Sequence, residues 1–121
     1  MKGLRLKAPK QMEVIDEEIR EPGKAHVLIR IDNFNLCGSD LRIYEGTYSG
    51  PIRYPIYVGH EWAGKVEAVG GDVKHLKIGD HVTGDCSLWC GSCPYCAHDK
   101  NLCKKIEKVG MTRDGASRQF F

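Results

Sequence analysis

The stretch Cys90-Gly91-Ser92-Cys93-Pro94-Tyr95-Cys96, with Cys103 after it, is the strongest local signal in this chain. Thiolates bind metal ions tightly, and cysteines at C-x₂-C-x₂-C spacing can surround one ion through tight turns. Gly91 and Pro94 suit such turns, because glycine tolerates positive φ and proline fixes φ. Four thiolates complete a tetrahedral site with no open position, so we predict a structural zinc lobe over about residues 86–104.

The composition is that of an ordinary globular domain. The 121 residues are 41% hydrophobic and 28% charged, with a formal net charge of +2, which is typical of a single domain. The basic residues are scattered, so no nucleic-acid partner is expected. No apolar run is long enough to cross a bilayer, and no signal segment begins the sequence. Six cysteines without such a segment indicate reduced thiols and metal binding, and the cytoplasm is the expected compartment.

Short strands separated by Gly and Pro turns make up most of the chain. The alternation of Val27, Ile29 and Ile31 with their neighbours predicts one clear strand, and residues 63–70 predict another. Shorter strands are predicted around residues 4–7, 12–15, 81–83 and 106–109, with a further strand beginning over residues 115–121. A helical turn is predicted over residues 41–45, with Ser39 or Asp40 as its cap. The predicted fold class is therefore mainly β, a barrel or sandwich with short helical turns.

A second candidate site combines Cys37 with His60 and Glu61. A cysteine, a histidine and a carboxylate from separate loops suit a zinc ion that keeps one coordination position open, as catalytic zinc does. Asp40 is a candidate acceptor for the other nitrogen of the histidine ring. Ser39 can hydrogen-bond a hydroxyl group and pass its proton outward. Each piece alone is a weak signal, because a lone cysteine is usually a small buried apolar residue and a lone His-Glu pair is usually surface polarity.

Five segments in combination carry a family resemblance. They are Cys37-Gly38-Ser39-Asp40, Gly59-His60-Glu61-Trp62-Ala63-Gly64, Val69-Gly70-Gly71-Asp72-Val73, Ile78-Gly79-Asp80-His81-Val82 and the cysteine lobe. Their order and approximate spacing resemble those of the zinc-containing medium-chain alcohol/polyol dehydrogenases over nearly the whole chain, specifically the N-terminal chaperonin-10-like (GroES-like) catalytic domain. The resemblance therefore implies a GroES-like β-barrel with a Cys₄ zinc lobe.

The resemblance also implies a role for each matching residue. Cys37 and His60 resemble ligands of a catalytic zinc, and Glu61 resembles the carboxylate that binds this zinc directly or alternates with water. Ser39 resembles the residue that hydrogen-bonds the substrate hydroxyl, and Asp40 the partner of the histidine. The structural zinc ligands implied are Cys90, Cys93, Cys96 and Cys103.

The activity implied is oxidation of a zinc-bound secondary alcohol, a small molecule such as a polyol, a cyclitol or an amino-alcohol. In the mechanism that the resemblance implies, zinc would act as a Lewis acid toward the alcohol, and NAD or NADP would accept the hydride. The full-length form is expected to be a homo-oligomer, a dimer or a tetramer. Ile43, Tyr44 and Tyr48 either line the substrate pocket or belong to the core.

Three departures from the family pattern limit these implications. Cys96 and Cys103 are one residue closer in sequence than is usual for the family. Arg42 stands where many members carry a proton-relaying histidine, and an arginine stays protonated. No G-x-G-x-x-G fingerprint is present, so residues 1–121 are expected to be an incomplete catalytic domain, truncated before the Rossmann domain and inactive alone.

Two other kinds of protein remain open at this point. A non-catalytic zinc-binding structural module accounts for the cysteine lobe alone. An iron–sulfur electron carrier is disfavoured, because its motif continues with three residues before the next cysteine, whereas six separate Cys96 from Cys103. Cys86 is close enough in sequence to compete as a ligand, although a buried or spare thiol is the favoured interpretation.

Overall fold

Eight short strands dominate the fold, and the computed structural model describes all residues from 1 to 121. One α-helix of eight residues, α1, and two 3₁₀ turns complete it, and no helix is long and apolar enough to cross a membrane. The bounds are β1 Lys2–Ala8, β2 Gln11–Asp16, β3 Val27–Asn35, α1 Gly38–Glu45, β4 Ile56–Tyr57, β5 Glu61–Val69, β6 His81–Val82, β7 Ser87–Leu88, the 3₁₀ turns Pro94–Ala97 and Lys100–Leu102, and β8 Glu107–Lys108.

The strands form two antiparallel three-stranded sheets and one hairpin. The first sheet has the order β2-β1-β4, the second has the order β3-β5-β6, and β7 pairs with β8. Residues 116–121 join the two sheets. The Leu4 amide donates to the Ser117 carbonyl at 2.7 Å, and Ile29 and Phe121 exchange two backbone hydrogen bonds of 2.8 Å. The predicted final strand therefore pairs with both sheets, although only as isolated bridges.

The main core cluster lies between the first sheet and α1. It contains Leu6, Ile43, Ile56, Val58 and Met111, each at most 6% exposed. Tyr44 and Tyr48 pack against this cluster, so the core alternative holds for these tyrosines and for Ile43. Packing α1 onto the sheet in this way fixes the position of the helix N-terminus.

Helix α1 is longer than predicted and has a different cap. It begins at Gly38, so Cys37 is the N-cap residue, and it ends at Glu45, because the following Gly46 has a left-handed φ of 76°. Ser39 and Asp40 therefore lie in the first turn, and the prediction that one of them caps the helix is wrong. Asp40 is instead the third helical residue, and its carboxylate accepts the backbone N–H of Cys37 at 2.8 Å. This is the hydrogen bond of a capping box that runs from the N-cap backbone to the side chain of the third residue.

Candidate metal centres

The four sulfur atoms of the cysteine lobe lie at the spacing of a metal site. The Sγ–Sγ distance is 3.5 Å for Cys93–Cys96, 3.6 Å for Cys90–Cys103, 3.9 Å for Cys90–Cys96 and 4.0 Å for Cys93–Cys103. A tetrahedral site with Zn–S bonds of about 2.3 Å places its sulfurs about 3.8 Å apart, and a disulfide would place them about 2.05 Å apart. The cluster thus suits a structural zinc, and the short Cys96–Cys103 spacing still closes the site.

Backbone amides surround the lobe thiols and change their acidity. The Ser92 backbone N–H and hydroxyl donate to Cys90 and lower the pKa of this thiol to about 6. Burial raises the pKa of the Cys96 thiol to about 12. Metal ligation requires thiolates. Cys90 is therefore already in the form that binds zinc at neutral pH, whereas Cys96 must release its proton when the ion binds.

Cys86 lies outside the four-sulfur cluster. The cluster contains only the four predicted ligands, and the Cys86 sulfur is 3.9 Å from the Ser87 hydroxyl. The Cys86 carbonyl accepts the Val109 N–H at 2.9 Å, which closes the base of the β7–β8 hairpin beneath the lobe. The spare-thiol interpretation of Cys86 therefore agrees with the structure.

The second candidate site forms where α1 meets the start of β5. Cys37 precedes the helix, His60 follows β4, and Glu61 is the first residue of β5. One ligand atom from each of these three residues lies within 4.8 Å of the other two. His60 Nε2 is 3.5 Å from the Ser39 hydroxyl and 4.0 Å from a Glu61 carboxylate oxygen. The His60 side chain is only 10% exposed, whereas that of Glu61 is 50% exposed.

The buried carboxylate of Asp40 organises this site. Its Oδ2 accepts the Cys37 N–H at 2.8 Å, and its Oδ1 accepts the Gly59 N–H at 3.2 Å. His60 Nδ1 is buried without a hydrogen-bond partner, and Asp40 Oδ1 lies 3.5 Å away. The ring therefore turns Nδ1 toward Asp40 and Nε2 toward Ser39 and Glu61. The structure brings all five predicted residues together, and their catalytic roles stay predictions.

A polar cavity of about 340 Å³ beside Glu61 was not predicted. Asn33, Asn35 and Thr83 line it together with His60 and Glu61. Asn33 and Asn35 alternate along β3 and so share one face of the strand. This period-2 pattern of amides was visible in the sequence, but the pairing of Asn35 with Glu61 in the sheet was not.

Most of this chain matches a known protein family. Residues 23–121 match the alcohol dehydrogenase GroES-like domain. The chain belongs to this family. The predicted fold class, mainly β and GroES-like, and the predicted relationship to the zinc-type medium-chain dehydrogenases are therefore confirmed.

Individual relatives of this GroES-like domain are longer proteins. D-arabitol-phosphate dehydrogenase from Enterococcus avium is 36% identical over 124 residues, covering 99% of this chain and 35% of that protein. L-threonine 3-dehydrogenase from Deinococcus radiodurans is 36% identical over 110 residues, covering 88% of this chain and 32% of that protein. The structure of an alcohol dehydrogenase from Escherichia coli CFT073, complexed with NADH, aligns with a TM-score of 0.91 at 32% identity. The alignment covers 100% of this chain and 35% of that one. This chain thus spans about a third of the length of these relatives.

Proposed function

We propose that residues 1–121 form the zinc-binding part of the catalytic domain of a dehydrogenase that oxidises a secondary alcohol with NAD or NADP. The observation that carries the proposal is the convergence of Cys37, His60 and Glu61 within 4.8 Å beside a polar cavity. A closed Cys₄ lobe elsewhere in the chain leaves this second cluster as the place for chemistry.

The donor set at the second cluster fits a catalytic zinc. A thiolate, an imidazole and a carboxylate are all zinc ligands, and three protein ligands leave one coordination position open. The buried His60 Nδ1 next to Asp40 supports the same assignment, because a proton on Nδ1 leaves the Nε2 lone pair free for a metal ion. When bound, the zinc ion supplies a Lewis acid that makes a hydroxyl group more acidic.

Ser39 is the residue placed to handle the proton. Its hydroxyl lies 3.5 Å from His60 Nε2 and can therefore reach a group held at the open position. The hydroxyl can accept the substrate proton and donate its own proton outward. Arg42 follows in the same helix and is exposed, but a guanidinium does not give up its proton at neutral pH. A proton relay from Ser39 therefore ends at another group or uses water.

The polar cavity and the relatives support the substrate class. The amide groups of Asn33 and Asn35 and the hydroxyl of Thr83 offer hydrogen bonds to a molecule with several hydroxyl or amino groups. The relatives include an arabitol-phosphate dehydrogenase and a threonine dehydrogenase. A polyol, including its phosphate, a cyclitol or an amino-alcohol is the substrate class that we propose.

The hydride acceptor requires residues that this stretch does not supply. A nicotinamide cofactor carries the redox step, and no dinucleotide fingerprint occurs in residues 1–121. We propose a Rossmann-type domain as the source of that binding site, and a homo-oligomer, dimer or tetramer, as the active form. These 121 residues alone are expected to be inactive. All six cysteines are free thiols, which suits a reducing compartment such as the cytoplasm.

Metal analysis combined with a hydride-transfer assay tests the proposal. The full-length protein should contain two zinc ions per chain, and it should reduce NAD or NADP with at least one alcohol of a polyol, cyclitol and amino-alcohol panel. His60→Ala should reduce the zinc content from two to one and abolish the reduction. His75→Ala, at an exposed histidine outside both clusters and outside the lobe, is the control and should change neither quantity. One zinc per chain in the wild-type protein would support the non-catalytic structural module instead.

A further inference from the structure

The backbone on either side of His60 is held by a distant part of the chain. The Ala116 N–H donates to the Gly59 carbonyl at 2.9 Å, and the Ser117 N–H donates to the Val58 carbonyl at 2.9 Å. The Gly59 N–H is in turn bound by Asp40 at 3.2 Å. Both the N–H and the carbonyl of Gly59 are therefore fixed, immediately before the histidine of the second cluster.

Two glycines allow this approach of backbone to backbone. A Cβ on Gly115 would lie 2.4 Å from the Gly59 carbonyl oxygen and 2.6 Å from the Val58 carbonyl oxygen. A Cβ on Gly110 would lie 3.0 Å from the Gly59 nitrogen. These neighbours are backbone atoms, which cannot rotate away as the end of a side chain can. Any residue other than glycine at position 115 must therefore change the spacing between its own segment and the segment that contains Val58 and Gly59.

A displacement of this segment would reach the metal ligands directly. Both the N–H and the carbonyl of Gly59 are hydrogen-bonded, so the backbone before His60 cannot shift far without breaking one of these bonds. Cys37 stays tied to Asp40 on the helix side. Movement of the His60 loop alone would therefore change the distance between the Cys37 sulfur and the His60 ring.

We propose that Gly110 and Gly115 are positioning residues for the Cys37/His60/Glu61 metal site. They let residues 110–117 lie against the Gly59 backbone and so set where the imidazole of His60 points. The identity of this site as catalytic rests on the proposed function above. None of the lobe cysteines takes part in this contact, so we expect the lobe to keep its metal when either glycine is replaced.

Cobalt binding to alanine variants of the full-length protein tests this inference. The lobe is first filled with zinc, and Co²⁺ is then titrated while the thiolate-to-cobalt absorption from Cys37 is followed. Gly115→Ala and Gly110→Ala should each weaken cobalt binding by about ten-fold or more, the effect expected when the support of a metal ligand is lost. Both variants should keep one zinc per chain in the lobe.

Two control variants separate positioning from general loss of stability. Gly79→Ala matches Gly110→Ala, because Gly79 has a φ of 95° but only the flexible end of Lys65 within 4 Å. Gly71→Ala matches Gly115→Ala, because a Cβ there meets nothing within 4 Å. Both controls should bind cobalt as the wild-type protein does. If Gly115→Ala does not fold, Gly110→Ala decides the question, because a Cβ at position 110 clashes less severely. Its nearest backbone atom is 3.0 Å away, against 2.4 Å at position 115.

The outcomes distinguish this inference from the proposed function. Equal cobalt affinity in the alanine variants and their matched controls overturns the positioning role and leaves the dehydrogenase proposal standing. Loss of lobe zinc together with cobalt binding also overturns it, because the effect is then not local to His60. If the alanine variants bind cobalt more weakly than the wild-type protein, and the wild-type protein oxidises no alcohol, the positioning role is upheld and the proposed function is overturned. Absence of cobalt binding in the wild-type protein overturns both.

Discussion

Asp40 Oδ1 accepts the backbone N–H of Gly59 at 3.2 Å and thereby joins the first turn of α1 to the loop that carries His60. The other oxygen of the same carboxylate accepts the N–H of Cys37 at 2.8 Å. One side chain, 3% exposed, therefore holds the backbone at Cys37 and at Gly59, the residue before His60, beside two of the three predicted ligands of the second metal site.

Replacing Asp40 with asparagine tests that arrangement. An amide offers only one accepting oxygen, so one of the two backbone N–H groups is left buried without a partner. We expect the free energy of unfolding to fall by about 1–3 kcal/mol, and metal affinity at the second site to fall by about 10–100-fold. Urea unfolding and metal titration measure the two effects. Asp72→Asn, at an exposed turn, is the control, and equal behaviour of both variants would contradict the role of Asp40.

Ser39→Ala separates proton handling from metal binding. Because the hydroxyl is placed to move the substrate proton, we expect kcat of the full-length enzyme to fall by about 10²–10⁴-fold. Both zinc ions should remain, since serine is not one of the predicted ligands. Ser39→Thr should retain activity, because it keeps a hydroxyl group at the same position. Wild-type turnover by Ser39→Ala would remove this residue from the mechanism.

Cys103→Ser tests the structural role of the lobe. Cys103 is the most buried of the four sulfurs, at 4% exposed, and two backbone N–H groups donate to it. Loss of this ligand should release the lobe zinc and lower the free energy of unfolding by about 4 kcal/mol or more, as loss of a structural metal does. Cys86→Ser, at the thiol outside the cluster, should leave one lobe zinc and near-normal stability. A fully stable Cys103→Ser protein would argue against a structural metal.

The acidity of the lobe thiols predicts how the metal-free protein responds to pH. The pKa of Cys90 falls from an ordinary value of 9.0 to about 6, chiefly through Ser92, and that of Cys96 rises to about 12 through burial. Because the folded-state pKa of Cys90 is depressed, its contribution to stability is complete above pH 9.0 and is lost as the pH falls through about 6.

Alkylation of the metal-free protein measures this difference. At neutral pH iodoacetamide should modify Cys90 well before Cys96, because only the thiolate is the nucleophile. The rate at Cys90 should reach half its maximum near pH 6, the pKa that its hydrogen bonds produce. Zinc should protect both thiols. Equal rates at the two cysteines, read by peptide mass spectrometry, would show that the Ser92 hydrogen bonds do not act in solution.

Most of the β structure could be predicted from the sequence because strands leave a local signal. The alternation of apolar and polar residues identified β3 and β5, and the turn glycines marked where the strands end. The start of α1 could not be identified in the same way. Cys37 is not a typical capping residue, and only the folded structure shows that Asp40 supplies the return hydrogen bond from inside the first turn.

The candidate sites show a similar division. The lobe ligands are close in sequence, so spacing alone was informative, and the shorter interval before Cys103 was accommodated by local turns. Cys37 and His60 could be grouped only weakly from their residue types, and the family resemblance gave that grouping its specificity. The contact of Gly115 with Gly59 was beyond prediction, because it joins residues far apart in sequence through backbone atoms that carry no sequence signal.

An anomalous difference map at the zinc edge, from crystals of the full-length protein, tests the central claim most directly. Two peaks are predicted in each chain. One should lie among the sulfurs of Cys90, Cys93, Cys96 and Cys103, and the other should contact Cys37 Sγ and His60 Nε2 with the Glu61 carboxylate beside it. A zinc peak in the lobe alone, with the Cys37 and His60 side chains ordered and no metal between them, would contradict the account.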